Sequence, residues 1–208
     1  MRAMDVWGTI HAERRALMDD LKGLSEPQWA RPSLCANWTV RDVLAHMTAT
    51  ASMGPPQFVG KLVRSGFNFA KMQSQDIAAQ RGNSPAEALA RFAAVVNLSK
   101  HPPGPSDTWL GEVLVHSEDI RRALGIKHVY PTGAAVQVAD FYKNSNLLIG
   151  AKTRIAGLKL RATDTDWTHG VGPEVSGPTL SLVLAMTGRK AALDDLTGDG
   201  LMVLQSRG

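Results

Sequence analysis

The sequence predicts a mainly α protein, with a helical bundle over residues 1–150 and a small α/β extension over 151–208. Three observations predict it. Apolar residues recur at helical spacing in one segment after another of the first 150 residues. Those segments are bracketed by capping residues, prolines and glycines of the kind that start and stop helices. Beyond residue 156 the pattern changes to two-residue alternation, as in Gly157-Leu158-Lys159-Leu160-Arg161-Ala162-Thr163.

Composition narrows the field. Hydrophobic residues make up 44% of the 208, enough for a sizeable core, and charged residues at 20% argue against disorder. The net charge of +4 is not gathered into a tail or stripe, so a nucleic-acid partner is not expected. Cys35 is the single cysteine, which excludes an intrachain disulfide and suits a reducing compartment. It reads as a small buried hydrophobe or a reactive thiol, with no activating neighbour in sequence. The N-terminus lacks the apolar core of a secretion signal, and no apolar run of about 18 residues could span a bilayer. The expected location is therefore cytoplasmic, with no membrane partner.

The first helix is expected from about Val6 to Leu24, with Ile10, Leu17, Leu21 and Leu24 inward and Glu13, Arg14, Asp19 and Lys22 available to water. The clearest helix start follows at Trp38-Thr39-Val40-Arg41-Asp42. Thr39 can cap, Asp42 stands at the third position of a capping box, and Trp38 with Val43 can form a hydrophobic staple. Gly54-Pro55-Pro56 breaks that helix, and the stretch to Gln80 is ambiguous, with Phe67 and Phe69 able to line a pocket mouth or pack in a core. Ser84-Pro85-Ala86-Glu87 starts a helix expected to run to about Lys100, with Leu89, Phe92, Ala93 and Val96 inward. A long helix then carries Trp109 to Leu124 and stops at Gly125. A segment of about Ala134 to Ile149, containing Val138, Phe141, Tyr142 and Leu148, can complete or cover the bundle. In the extension, the 157–163 strand is joined by a second short strand or turn at Asp166–Gly172. A helix begins at Pro178 and ends at Gly188, and Leu201-Met202-Val203-Leu204 follows as an edge strand. The extension has too little area for an independent core and is expected to dock on the bundle. His169 and Trp167 can face a cavity from that side or belong to a surface hairpin.

One constellation carries chemistry. Glu112 and His116 lie one helical turn apart on one face, with Asp119 three residues beyond. This spacing suits a metal half-site, though taken alone it reads more readily as a solvated or hydrogen-bonded polar stripe. His46, inside the capped helix beside Val43 and Leu44, is the candidate third ligand; on its own it reads more readily as a core histidine bonded to a carbonyl or an acid. Two helices of a bundle can together supply His46, Glu112 and His116 to a divalent ion, leaving a fourth position for water or a thiolate. Asp119 can orient His116 or pair with Arg122. Arg189, after Gly188, can hold an anionic substrate or simply complement a helix end. His11 and His101 lack a second ligand nearby in sequence.

The run Leu34-Cys35-Ala36-Asn37-Trp38-Thr39-Val40-Arg41-Asp42-Val43-Leu44-Ala45-His46 and the run Glu112-Val113-Leu114-Val115-His116 resemble the mycothiol-dependent maleylpyruvate isomerase family, of the DinB-like superfamily. So do Gly172-Pro173-Glu174-Val175-Ser176-Gly177-Pro178, Ala185-Met186-Thr187-Gly188-Arg189 and Leu196-Thr197-Gly198-Asp199-Gly200. The resemblance implies a DinB-like four-helix bundle, zinc or another divalent metal on His46, Glu112 and His116, and mycothiol as thiol cosubstrate. One position departs from the common form: Asn37 stands where a glycine often precedes the tryptophan. The resemblance also implies that the isomerase itself has a larger C-terminal domain with an essential arginine, for which Arg189 is a loose counterpart, and a tail this short speaks against maleylpyruvate as substrate.

Three functions are therefore expected in order: a mycothiol-using S-transferase or isomerase acting on a small electrophile, a metal-dependent hydrolase using bound water, and a non-catalytic metal- or ligand-binding protein.

Overall fold

Side-chain caps set where several helices of this chain begin. In the computed structural model, which describes residues 4–147 and 149–207, the elements of the first part are α1 (Val6–Asp20), α2 (Glu26–Trp29), α3 (Val40–Ser52), α4 (Pro55–Arg64), α5 (Phe69–Gln80), α6 (Pro85–Ala93) and α7 (Ser106–Leu124). Thr39 closes the capping box of α3: Asp42 N donates to its hydroxyl at 3.2 Å and Thr39 N donates to Asp42 Oδ2 at 3.0 Å. Ser84 Oγ caps α6 by accepting from Glu87 N at 3.2 Å. Gly125, at φ 72°, ends α7 in the left-handed conformation that glycine adopts without a Cβ penalty.

Four of these helices close a ring, α1 on α7, α7 on α3, α3 on α6 and α6 on α1. This is the four-helix bundle, with α5 laid on α3 and α4 on α5. Ile10, Leu17, Val43, Leu44, Met47, Phe92, Leu110 and Leu114 fill its interior. The buried arc of α1 is wider than the sequence suggested. Glu13 and Arg14, expected in water, are both buried, because α1 faces both α6 and α7. Arg14 donates to Leu98 O at 3.0 Å, and Glu13 Oε2 pairs with His128 Nε2 at 2.8 Å. The α6 helix stops at Ala93 rather than near Lys100, since the chain turns over Ala94–Asn97 to bury Val95 and Val96.

The chain forms two compact units, Asp5–His128 and the part from Val129 onward. The second contains α8 (Thr132–Tyr142), α9 (Ala151–Arg154), β1 (Lys159–Ala162), β2 (Thr168–His169), β3 (Glu174–Gly177), α10 (Thr179–Met186), a 3-10 turn (Lys190–Asp195) and α11 (Leu201–Gln205). Its sheet has the order β2-β1-β3, with β1 antiparallel to β2 and parallel to β3. Leu160 pairs with His169 on one side and Val175 on the other. The segment the sequence assigned to the bundle, α8, packs instead on α10 of this unit, burying Ala135, Val138 and Tyr142. Leu148, assigned to the same segment, lies outside the described residues. The edge strand expected at Leu201–Leu204 is the helix α11. The β3 residue Ser176 is bridged by Thr197 instead, and a four-residue apolar run fits either conformation. Trp167 donates from its indole nitrogen to Asp140 Oδ1 at 3.0 Å, and burial holds His169 below the ordinary imidazole range.

The entry to α3 is bent by one residue. Asn37 has φ 66°, the left-handed region where glycine is the least strained residue and asparagine the next. That conformation is why a glycine suits this position. Asn37→Ala is expected to lower unfolding free energy by about 1 kcal/mol and Asn37→Gly to match or exceed the parent, read by urea denaturation.

Candidate functional site

The bundle brings α3 and α7 together in antiparallel register. His46 lies against His116, ring centroids 4.9 Å apart and planes at 80°. One turn further along each helix, in opposite chain directions, Thr50 Oγ1 donates to Glu112 Oε1 at 2.6 Å. The loop that precedes α3 is tied to the end of α7: Leu34 N donates to Asp119 O at 3.2 Å and Arg31 to Ala123 O at 3.0 Å. This tether sets Trp38 over the two imidazoles, with its ring centroid 5.1 Å from His46 and 6.3 Å from His116. Trp38, read as a staple residue from sequence, thus forms a wall beside both histidines.

Several polar groups on α7 have partners close by. Asp119 is fully buried, and its Oδ2 lies 2.9 Å from His116 Nδ1. A carboxylate accepts, so Nδ1 carries the proton and Nε2 keeps its lone pair in the neutral ring. Arg122 pairs with Glu118 at 2.7 Å. Glu112 is 9% exposed, and its second oxygen, Oε2, is buried without a hydrogen-bond partner. Its charge is felt on α1. Burial holds the Arg14 guanidinium below the ordinary arginine range, and the Glu112 carboxylate pulls it back up. Trp109, one turn before Glu112, also buries its indole nitrogen without a partner.

Of the residues singled out from sequence, His46 lies against His116, Asp119 is bonded to His116, and Glu112 stands one turn along α7 from His116, bonded to Thr50. Arg189 lies in the second unit, where it caps the 3-10 turn and donates to Thr187 O at 3.3 Å. Phe67 is 74% exposed and Phe69 39%. Thr50, Trp38 and Arg14 were not foreseen. Thr50 was legible, since it follows His46 by the same four residues that separate Glu112 from His116. Arg14 was not, because nothing in its helix announces burial.

A family model described as the mycothiol maleylpyruvate isomerase N-terminal domain matches residues 10–121, over half of the chain and nearly all of the bundle. The chain belongs to this family. Two crystal structures, of the mycothiol-dependent maleylpyruvate isomerase and of a histidine-to-alanine variant of it, match with TM-scores of 0.59. Identities are 13% and 14%, and each match covers 94% of this chain and 92% of the other. At that identity the likeness is one of fold. It extends over nearly the whole length of both chains. Nothing among curated proteins matches the chain. No helix among the described residues is long and apolar enough to cross a membrane.

Two imidazoles and a carboxylate are a donor set suited to zinc. Among the described residues no three His, Cys, Asp or Glu side chains are drawn up closely enough to hold an ion as they stand. The set nevertheless fits the group the family implies. The two rings touch, and the Glu112 oxygen not bonded to Thr50 is a buried acceptor left unmatched among the described residues. Thr50→Val removes the hydrogen bond to Glu112 Oε1 and is expected to destabilise the metal-free protein by about 1–3 kcal/mol in urea denaturation, with Thr50→Ser close to the parent.

Proposed function

We propose that this protein is a metal-dependent enzyme of thiol chemistry, an S-transferase or isomerase that uses mycothiol on a small electrophile. The observation that carries the proposal is the contact of His46 with His116 across α3 and α7, with Glu112 one turn away on α7 and one of its oxygens unmatched among the described residues. His46, Glu112 and His116 would hold the ion, zinc or another divalent metal. A bound divalent cation supplies positive charge that favours thiolate over thiol near neutral pH.

The protein's own groups are set for that task. Asp119 accepts from His116 Nδ1, which fixes the ring and keeps Nε2 as the electron-pair donor. Thr50 holds one oxygen of Glu112 and leaves the other to bind. Trp38 covers the imidazoles on one side and so limits water beside them. In the reaction, a thiolate sulfur bonds to the electrophilic carbon of an activated alkene while the π pair moves to the activating group. Protonation of the adduct with the C–S bond kept gives a transferase; rotation about the resulting single bond, with return of the pair to re-form the double bond and expel the thiolate, gives an isomerase. The family and the fold of the matched isomerase support the thiol over water as nucleophile.

Metal content measured after purification without a metal-binding tag is expected to be about one ion per chain, with substantial loss in His46→Ala, Glu112→Ala and His116→Ala. Unchanged content in all three would remove the site. Asp119→Asn is expected to weaken metal affinity by about 10–100-fold while the fold is retained, read by competition with a chelating dye. Consumption of mycothiol in a screen of electrophiles then separates this reading from hydrolysis, in which substrate disappears without thiol, and from a binding role, in which the metal is present but nothing turns over.

A further inference from the structure

A groove at the C-terminal end of α3 has no part in the reading above. It measures about 390 Å³, within the range of small-molecule sites. Ser52 and Met53 form one side, and Gln57, Gly60, Lys61 and Arg64 of α4 form the other. Ser52 and Met53 follow Thr50 by two and three residues, roughly 3–4.5 Å along the helix axis, so the groove opens within a turn of the Thr50–Glu112 contact.

Its walls are of two kinds. Met53 is buried and apolar. Lys61 is neutralised by Asp76 on α5, whereas Arg64 has no acidic partner among the described residues. No acidic side chain is among the residues lining the groove. A cation in the last turn of a helix also complements the helix dipole, which would account for Arg64 alone. It does not account for Gly60.

Gly60 lies in the middle of α4, where glycine costs about 1 kcal/mol relative to alanine. Neither usual excuse for a glycine applies. Its φ is not in the left-handed region, and a Cβ built there would meet nothing within 4 Å. Nor does α4 serve the core, since none of its residues is buried. Gly60 lines the groove with no side chain to occupy it.

We infer that this groove binds a small organic anion, a carboxylate on an apolar body, with the carboxylate at Arg64 and the body over Met53 and Gly60. The inference concerns binding alone and does not depend on the metal or the thiol.

The test titrates the isotopically labelled full chain with benzoate and with its neutral counterpart benzamide, following backbone amide shifts. Saturable shifts at Gln57, Gly60 and Arg64 are expected with benzoate, and about fivefold weaker binding with benzamide. Arg64→Ala should remove that preference. Gly60→Leu should abolish benzoate binding while melting no lower than the parent, because leucine is the better helix former. His46→Ala should bind benzoate as the parent does, which separates this outcome from failure of the metal site. Absence of saturable shifts in the groove, equal binding of the two probes, or undiminished binding in Gly60→Leu would each overturn the inference.

Discussion

The register of α3 against α7 is the constraint on which the site depends. It aligns His46 with His116 and Thr50 with Glu112, and it can do so only while the helices run antiparallel with those pairs level. A shift of either helix by one residue rotates its side chains by about 100°, which would take Glu112 from its hydrogen-bond donor and the rings from each other. The loop from Arg31 to Trp38, bonded to Asp119 O and Ala123 O, fixes the sliding coordinate. Asn37 accepts a left-handed backbone so that this loop can turn into the capping box.

Buried charge sets the second condition. Glu112, Asp119, Glu13, Arg14 and Arg121 are all at or below 9% exposed, and isolated charges in such surroundings are unstable. They are arranged so that opposite signs face each other between α1 and α7. Arg121 reaches Asp20 at 2.7 Å and Glu13 at 3.8 Å, while Arg14 lies in the field of Glu112. The first helix therefore does more than fill the ring: it supplies the countercharge that lets α7 carry acids on its inner face.

Much of this was legible in the sequence where the signal is local. The caps at Thr39 and Ser84, the break at Gly54-Pro55-Pro56 and the stop at Gly125 each follow from the chemistry of two or three adjacent residues, and each sits where the letters put it. The pairing of His46 with the Glu112–His116 face was legible too, from spacing and resemblance together. Errors arose where tertiary contacts decide. Arg14 and Glu13 are charged residues at positions open to solvent on a helix with one neighbour, but α1 has two. The α8 segment is apolar enough for either unit, and periodicity cannot say which neighbour it chooses. The run Leu201–Leu204 is too short for its period to separate strand from helix.

The remaining question about α7 is whether its polar face is a packing layer or a site, and hydrogen-bond accounting bears on it. A stripe kept only for structure is at its most stable when its members satisfy one another, because an unmatched buried acceptor costs about 1–3 kcal/mol. His116 with Asp119 meets that rule, as does Glu112 Oε1 with Thr50. Glu112 Oε2 does not, although an unmatched donor, the Trp109 indole N–H, is buried one turn away on the same helix. A donor and an acceptor that could have relieved each other are held apart. The groups that orient the face, Asp119 and Thr50, each bind one side of a side chain and leave the other to a third party. On the proposed reading, the unmatched Glu112 oxygen is the one that the ion would take.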